Sequence, residues 1–146
     1  MNLFLYLSFY TFILLSIVGY GNIFHKLFFK KEEINLGYLG LFGIFFLLLI
    51  SYTLNIFIPL SAYTNLLILL IGMASFLNFF YRKFYELKIN FFIIGIIFFF
   101  LIVFILSAKN HDDFPYYHFA YIQLITKFSN SLGLGLLNHG FRTPSS

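Results

Sequence analysis

Eight consecutive residues, His111-Asp112-Asp113-Phe114-Pro115-Tyr116-Tyr117-His118, bring together two carboxyls, two imidazoles and two phenols. Adjacent carboxylates raise one another's pKa or share a divalent cation through oxygen ligands, and a carboxylate near lipid headgroups can take a proton from an incoming hydroxyl. Asp113, Asp112 and His118 are therefore the candidate catalytic groups, and Asp112 with Asp113 the candidate cation site. Further along, Arg142 carries the planar guanidinium suited to bidentate phosphate contact. With Tyr117 and His139 it forms the candidate substrate- and phosphate-binding set, the competing reading of His139 beside Gly140 being a turn residue. The competing reading gives the carboxylates a structural task, with Asp113 or Asp112 capping a helix whose first turn tolerates Pro115. Gly133-Leu134-Gly135 does not have the spacing of a phosphate loop.

The elements that would hold these residues are set by composition. Of 146 residues, 61% are hydrophobic and 10% charged, against roughly 25% charged in soluble domains. The mean hydropathy of +0.92 points the same way, to membrane spans of about 20 apolar residues each. The chain has no cysteine, which excludes disulfides and thiolate metal sites and leaves histidine or carboxylate as metal ligands. Its net charge of +4 lies in short segments between apolar runs, the arrangement of topology signals, so nucleic acid is not an expected partner.

Four spans are expected, over residues 2–24, 36–59, 63–80 and 89–107, forming an all-α integral membrane bundle. The first has neither a basic leader nor a small-residue cleavage site, so it reads as a retained helix. Near its end, Ser16-Ile17-Val18-Gly19-Tyr20-Gly21-Asn22 resembles a potassium-channel filter, but no outer helix precedes it and Ile17 stands where that filter has threonine. Gly19 and Gly21 are read instead as sites of close helix packing, as are Gly37, Gly40 and Gly43 at three-residue spacing. The fourth span is apolar all round and cannot line a wet pathway.

Lys26, Lys30 and Lys31 lie between spans one and two, and Arg82, Lys83 and Lys88 between spans three and four. The positive-inside rule puts both segments in the cytoplasm, and the amino terminus and residues 109–146 outside. Within that outer region, residues 114–128 pattern as an amphipathic interfacial helix. Phe114, Tyr117, Tyr121, Leu124, Ile125 and Phe128 share one face, and Tyr116, Gln123 and Lys127 the other.

The motif from Asp112 to His118, followed by Gly133-Leu134-Gly135 and by Asn138-His139-Gly140-Phe141-Arg142-Thr143-Pro144-Ser145-Ser146, resembles an uncharacterised family of large bacterial polytopic membrane proteins. Asn55-Ile56-Phe57-Ile58-Pro59-Leu60 is similar to the same family. Its members look like membrane glycosyltransferases of the GT-C type, which keep an acidic motif in an early outer loop and take sugars from polyprenyl-phosphate carriers. Asp113, Tyr117 and His118 match the family motif, and Asp112 is an additional acid. The resemblance implies an amino-terminal fragment of a bacterial inner-membrane enzyme, with the bilayer, a polyprenyl-phosphate sugar and further transmembrane helices as partners and a divalent cation as the one candidate cofactor. The alternative expectation is a non-enzymatic multi-pass component with an assembly, scaffold or transport role.

Overall fold

The structure, a computed structural model, describes residues 3–29, 35–107 and 114–129. Among the described residues every regular element is a helix. α1 spans Leu3–Phe28, α2 Leu36–Phe57, α3 Ala62–Ser107, and a π-helical turn over Phe114–His118 leads into α4, Phe119–Lys127. Among the described residues, three segments are long and apolar enough to cross a membrane: Phe4–Phe28, Leu36–Phe57 and Ala62–Lys83. Large apolar side chains cover their outer surface, among them Leu41 (64% exposed) and Leu67 (63% exposed). Such a continuous greasy surface suits lipid and not water.

The helices outrun the apolar stretches that hydropathy marks. α1 continues through His25 and Lys26 to Phe28. α3 passes without a loop through the basic segment expected to connect two spans, broken only at Lys83, where the backbone leaves helical geometry (φ −118°, ψ 21°). Hydropathy reports where side chains leave lipid, whereas a helix ends where backbone bonding fails. Arg82-Lys83-Phe84-Tyr85-Glu86-Leu87-Lys88 contains neither glycine nor proline to stop it. A straight continuation would carry Gly95 about 18 Å beyond Lys83. Gly95 instead shares a cavity wall with Leu15 of α1 and Gly40 of α2, so α3 turns back alongside them after the break.

α1 is the central helix, packed against both α2 and α3. Its contacts with α2 run antiparallel: a Cβ on Gly21 would strike the Leu39 carbonyl, and one on Gly43 the Ile17 carbonyl. Its contacts with α3 run parallel, Ser16 bonding to the Leu69 carbonyl and Asn22 to Ser75. Lys26, Asn35 and Arg82 therefore lie at one end of the bundle, and the α2–α3 turn at the other. At the first end Phe24 stacks its ring among Phe42 (5.3 Å between centroids), Phe46 (5.4 Å) and Phe28 (4.6 Å).

Small residues set these distances. With lipid as apolar as leucine, helices in a membrane associate through close packing and interhelical hydrogen bonds. Gly19 and Gly21 point about 200° apart around α1, so Gly19 meets Gly72 of α3 while Gly21 meets Leu39 of α2. Tyr20, 2% exposed, lies between them and donates its hydroxyl to the Ile68 carbonyl at 2.7 Å. The Gly-Tyr-Gly segment is thus regular helix, the opposite of an extended channel filter. Of the three evenly spaced glycines in α2, only Gly43 is a contact point. An added Cβ meets no atom within 4 Å at Gly40 and only the Asn35 side chain, at 3.5 Å, at Gly37. A repeat of three drifts about 60° per step around a helix of 3.6 residues per turn, and a single stripe cannot keep all three.

Candidate functional site

The sequence places its candidate chemistry just after the last apolar run, where the described structure contains the π-helical turn and α4. The α2–α3 turn that receives α4 is tied from within. α2 ends as the Ile58 amide bonds back to the Leu54 carbonyl at 2.9 Å. Pro59, which has no amide to donate, starts the turn. Ser61 Oγ accepts from the Thr64 amide at 3.3 Å, Thr64 Oγ1 donates to the Pro59 carbonyl at 3.1 Å, and Asn65 Nδ2 donates to the Leu60 carbonyl at 2.8 Å.

This closed turn leaves the Leu60 amide facing outward, and it donates to the Ile125 carbonyl in the last turn of α4 at 2.9 Å. The same carbonyl accepts from Asn55 Nδ2 at 3.3 Å, while that amide nitrogen also reaches the Ile58 carbonyl at 3.4 Å. The last four carbonyls of a helix have no partner within it, so Leu60 and Asn55 satisfy one that α4 itself cannot. Asn55 is 4% exposed and would be costly there unpaired. α4 is thereby joined to the end of the bundle opposite Lys26 and Arg82.

The side-chain pattern of α4 follows from that attachment. Tyr121, Leu124 and Ile125 are half-buried, whereas Tyr116, Gln123 and Lys127 are exposed. Phe128 departs from the apolar face assigned to it, at 63% exposed. It is the residue after the helix, extended at φ −129°, ψ 150°, and no longer follows helical periodicity. The Tyr121 phenol is pushed above its ordinary range by burial first and then by the charge of Tyr52 on α2.

Of the sequence-derived candidates, His118 is half-buried at the junction between the π-helical turn and α4. Tyr117 belongs to the same turn. Asp112, Asp113, His139 and Arg142 lie outside the described residues, as does the capping position assigned to Asp113 or Asp112. Among the described residues, no group of three or more His, Cys, Asp or Glu side chains could hold a metal ion.

A second polar feature lies inside the bundle, and the sequence reading did not anticipate it. Ser16, 0% exposed, donates to the Leu69 carbonyl at 2.8 Å, and Ser75 donates to the Gly19 carbonyl at 2.8 Å while accepting from Asn22 Nδ2 at 3.1 Å. Together with Tyr20 these bonds form a ladder between α1 and α3. The available signal was the three-residue spacing of Ser16, Gly19 and Asn22, small or polar residues on one face of an apolar helix. Chemically the ladder joins helices; each of its bonds runs from one helix to the other.

Residues 1–146 match the model of a family described as a domain of unknown function (DUF8201). No curated protein and no solved structure matches the chain.

Proposed function

We propose that this chain, which belongs to the DUF8201 family, serves a membrane glycosyltransferase of the GT-C type, using a polyprenyl-phosphate-linked sugar at the outer face of the bacterial inner membrane. The observation that carries the reading is the bond of the Leu60 amide and Asn55 to the Ile125 carbonyl. It holds an amphipathic helix at the bundle end opposite Lys26 and Arg82, next in sequence to the acidic motif. The positive-inside rule makes the Lys26 and Arg82 end cytoplasmic. α4 then lies in the outer interface, and the returning part of α3 makes the fourth crossing.

In this reading the Asp113 carboxylate takes the proton of an acceptor hydroxyl as its oxygen attacks the sugar carbon. The carbon–oxygen bond to the carrier breaks, and its electron pair leaves with the polyprenyl phosphate. His118 and Asp112 orient Asp113, or Asp112 and Asp113 hold a divalent cation together. Arg142, with Tyr117 and His139, receives the leaving phosphate. Asp113→Asn in the complete protein should abolish sugar transfer while leaving membrane insertion intact. Undiminished transfer would remove the catalytic role.

A second reading is a non-enzymatic membrane component with a scaffold or assembly role. It is favoured by the use of the buried polar side chains Ser16, Asn22 and Asn55 for joining helices. Wild-type sugar transfer in cells after Asp113→Asn, with loss of it after disruption of the Asn55 contact, is the result this reading expects.

A further inference from the structure

Between α1, α2 and the returning part of α3 runs a groove of about 410 Å³, lined by Thr11, Leu15, Val18, Leu36, Gly40 and Gly95 among others. Its floor exists because side chains are missing. An added Cβ would meet nothing within 4 Å at Gly40 or at Gly95. Thr11 contributes its methyl, since its hydroxyl already donates to the Leu7 carbonyl at 2.8 Å. Nothing in such a lining holds water.

The groove begins at the basic end of the bundle, at Leu36 beside the α2 N-cap Asn35, and its α2 wall runs to Ile44. On α1 the lining continues to Thr11, and with Leu39 level with Gly21 the groove runs about 20 Å from Leu36 to Thr11, past the middle of a roughly 30 Å hydrocarbon core. The connection between α1 and α2 and the segment around the α3 break carry six basic residues, Lys26, Lys30, Lys31, Arg82, Lys83 and Lys88, against Glu32, Glu33 and Glu86. Lys26 and Arg82 are exposed at that end.

We infer that this groove is a lipid site: one acyl chain of an anionic phospholipid from the leaflet at the basic end lies along Gly40 and Gly95, with its phosphate at the exposed Lys26 and Arg82. The length takes one extended acyl chain, the lining matches hydrocarbon, and the charge of Lys26 and Arg82 at that end is complementary to an acidic headgroup. The mouth of the site is at the opposite end of the bundle from α4, and the site does not depend on the proposed sugar transfer.

The test uses the full chain in nanodiscs containing spin-labelled phosphatidylglycerol or, separately, spin-labelled phosphatidylcholine. A motionally restricted lipid component should appear in about one-to-one ratio with the protein, stronger for phosphatidylglycerol. Gly40→Leu, which has room for its side chain and retains the helix, should remove that component while circular dichroism and thermal unfolding stay unchanged. Lys26→Gln with Arg82→Gln should reduce the phosphatidylglycerol preference by roughly five-fold per basic side chain removed and leave the chain-restricted component in place. An unchanged component in Gly40→Leu would overturn the site, as would a groove closed by a second copy of the chain, seen as a dimer that excludes the labelled lipid. Equal binding of both lipids would overturn the headgroup assignment.

Discussion

Gly19 of α1 backs onto Gly72 of α3 so closely that a methyl group on Gly19 would occupy the position of the Gly72 carbonyl. The obstacle is backbone on a second helix, which no rotamer change can move aside. Ser16 Oγ closes the same contact from the other side, meeting any Cβ placed on Gly72. The distance between α1 and α3 is set here, and with it the register of the hydrogen bonds above and below.

Gly19→Leu is expected to destabilise the bundle by at least about 1–3 kcal/mol, the cost of overpacking a site that cannot relax. Gly40→Ala should be neutral or stabilising by up to about 1 kcal/mol, since its Cβ enters open space and alanine restricts the unfolded chain. Reversible unfolding in mixed micelles distinguishes them, and equal effects would refute the packing assignment.

The Asn22–Ser75 bond of 3.1 Å should appear as a coupling of about 0.6 kcal/mol, typical of hydrogen bonds between membrane helices. The measurement is a double-mutant cycle with Asn22→Ala and Ser75→Ala. A coupling indistinguishable from zero would mean that the pair contributes geometry without stability.

Asn55→Leu keeps the volume and removes one of the two donors to the Ile125 carbonyl. The Leu60 amide remains, so the loss should be about 1 kcal/mol. It should be confined to α4, whose amides would exchange faster in hydrogen–deuterium exchange while those of α1 and α2 stay protected. Uniform acceleration along the chain would show that Asn55 supports the bundle and not the attachment.

Because burial and Tyr52 raise the Tyr121 phenol above its ordinary value, the folded state holds that proton more tightly than the unfolded state. The contribution is complete below the unfolded value of about 10 and is lost as pH rises through the higher folded value. Attachment of α4 should therefore weaken only in strongly alkaline solution. Tyr121→Phe should abolish this dependence, and Tyr52→Phe should lower the Tyr121 titration point measured by ultraviolet absorbance.

Single cysteines introduced at Asn110 and Lys30 should label from opposite sides of the membrane, Asn110 from outside and Lys30 from the cytoplasm. The reverse result would invert the bundle and with it the outer location proposed for Asp113.

The all-helical class and the presence of membrane-spanning helices were legible because long apolar runs admit few other structures where no water satisfies the backbone. The use of Gly19 and Gly21 for close approach was legible from residue size. Equal spacing misled at Gly37 and Gly40, because helical periodicity rotates them away from the contact that Gly43 makes. The proposed site was legible only as residue types. His118 is the one described candidate whose burial is known, and its position follows from a contact between Asn55 and Ile125, 70 residues apart, which local patterning does not encode.

The amino-acid order alone determined that these helices are apolar enough for a bilayer and where their basic residues fall. Only the tertiary structure decided that α1 is the central helix, that Ser16, Asn22 and Ser75 bond across α1 and α3, and that α4 attaches to the α2–α3 turn. The physical reason is that hydrophobicity is a property of each side chain and accumulates along the chain. Partner choice among equally apolar helices depends on where two backbones can touch and which orphan donors and acceptors meet there, and these relations exist only once the helices are side by side.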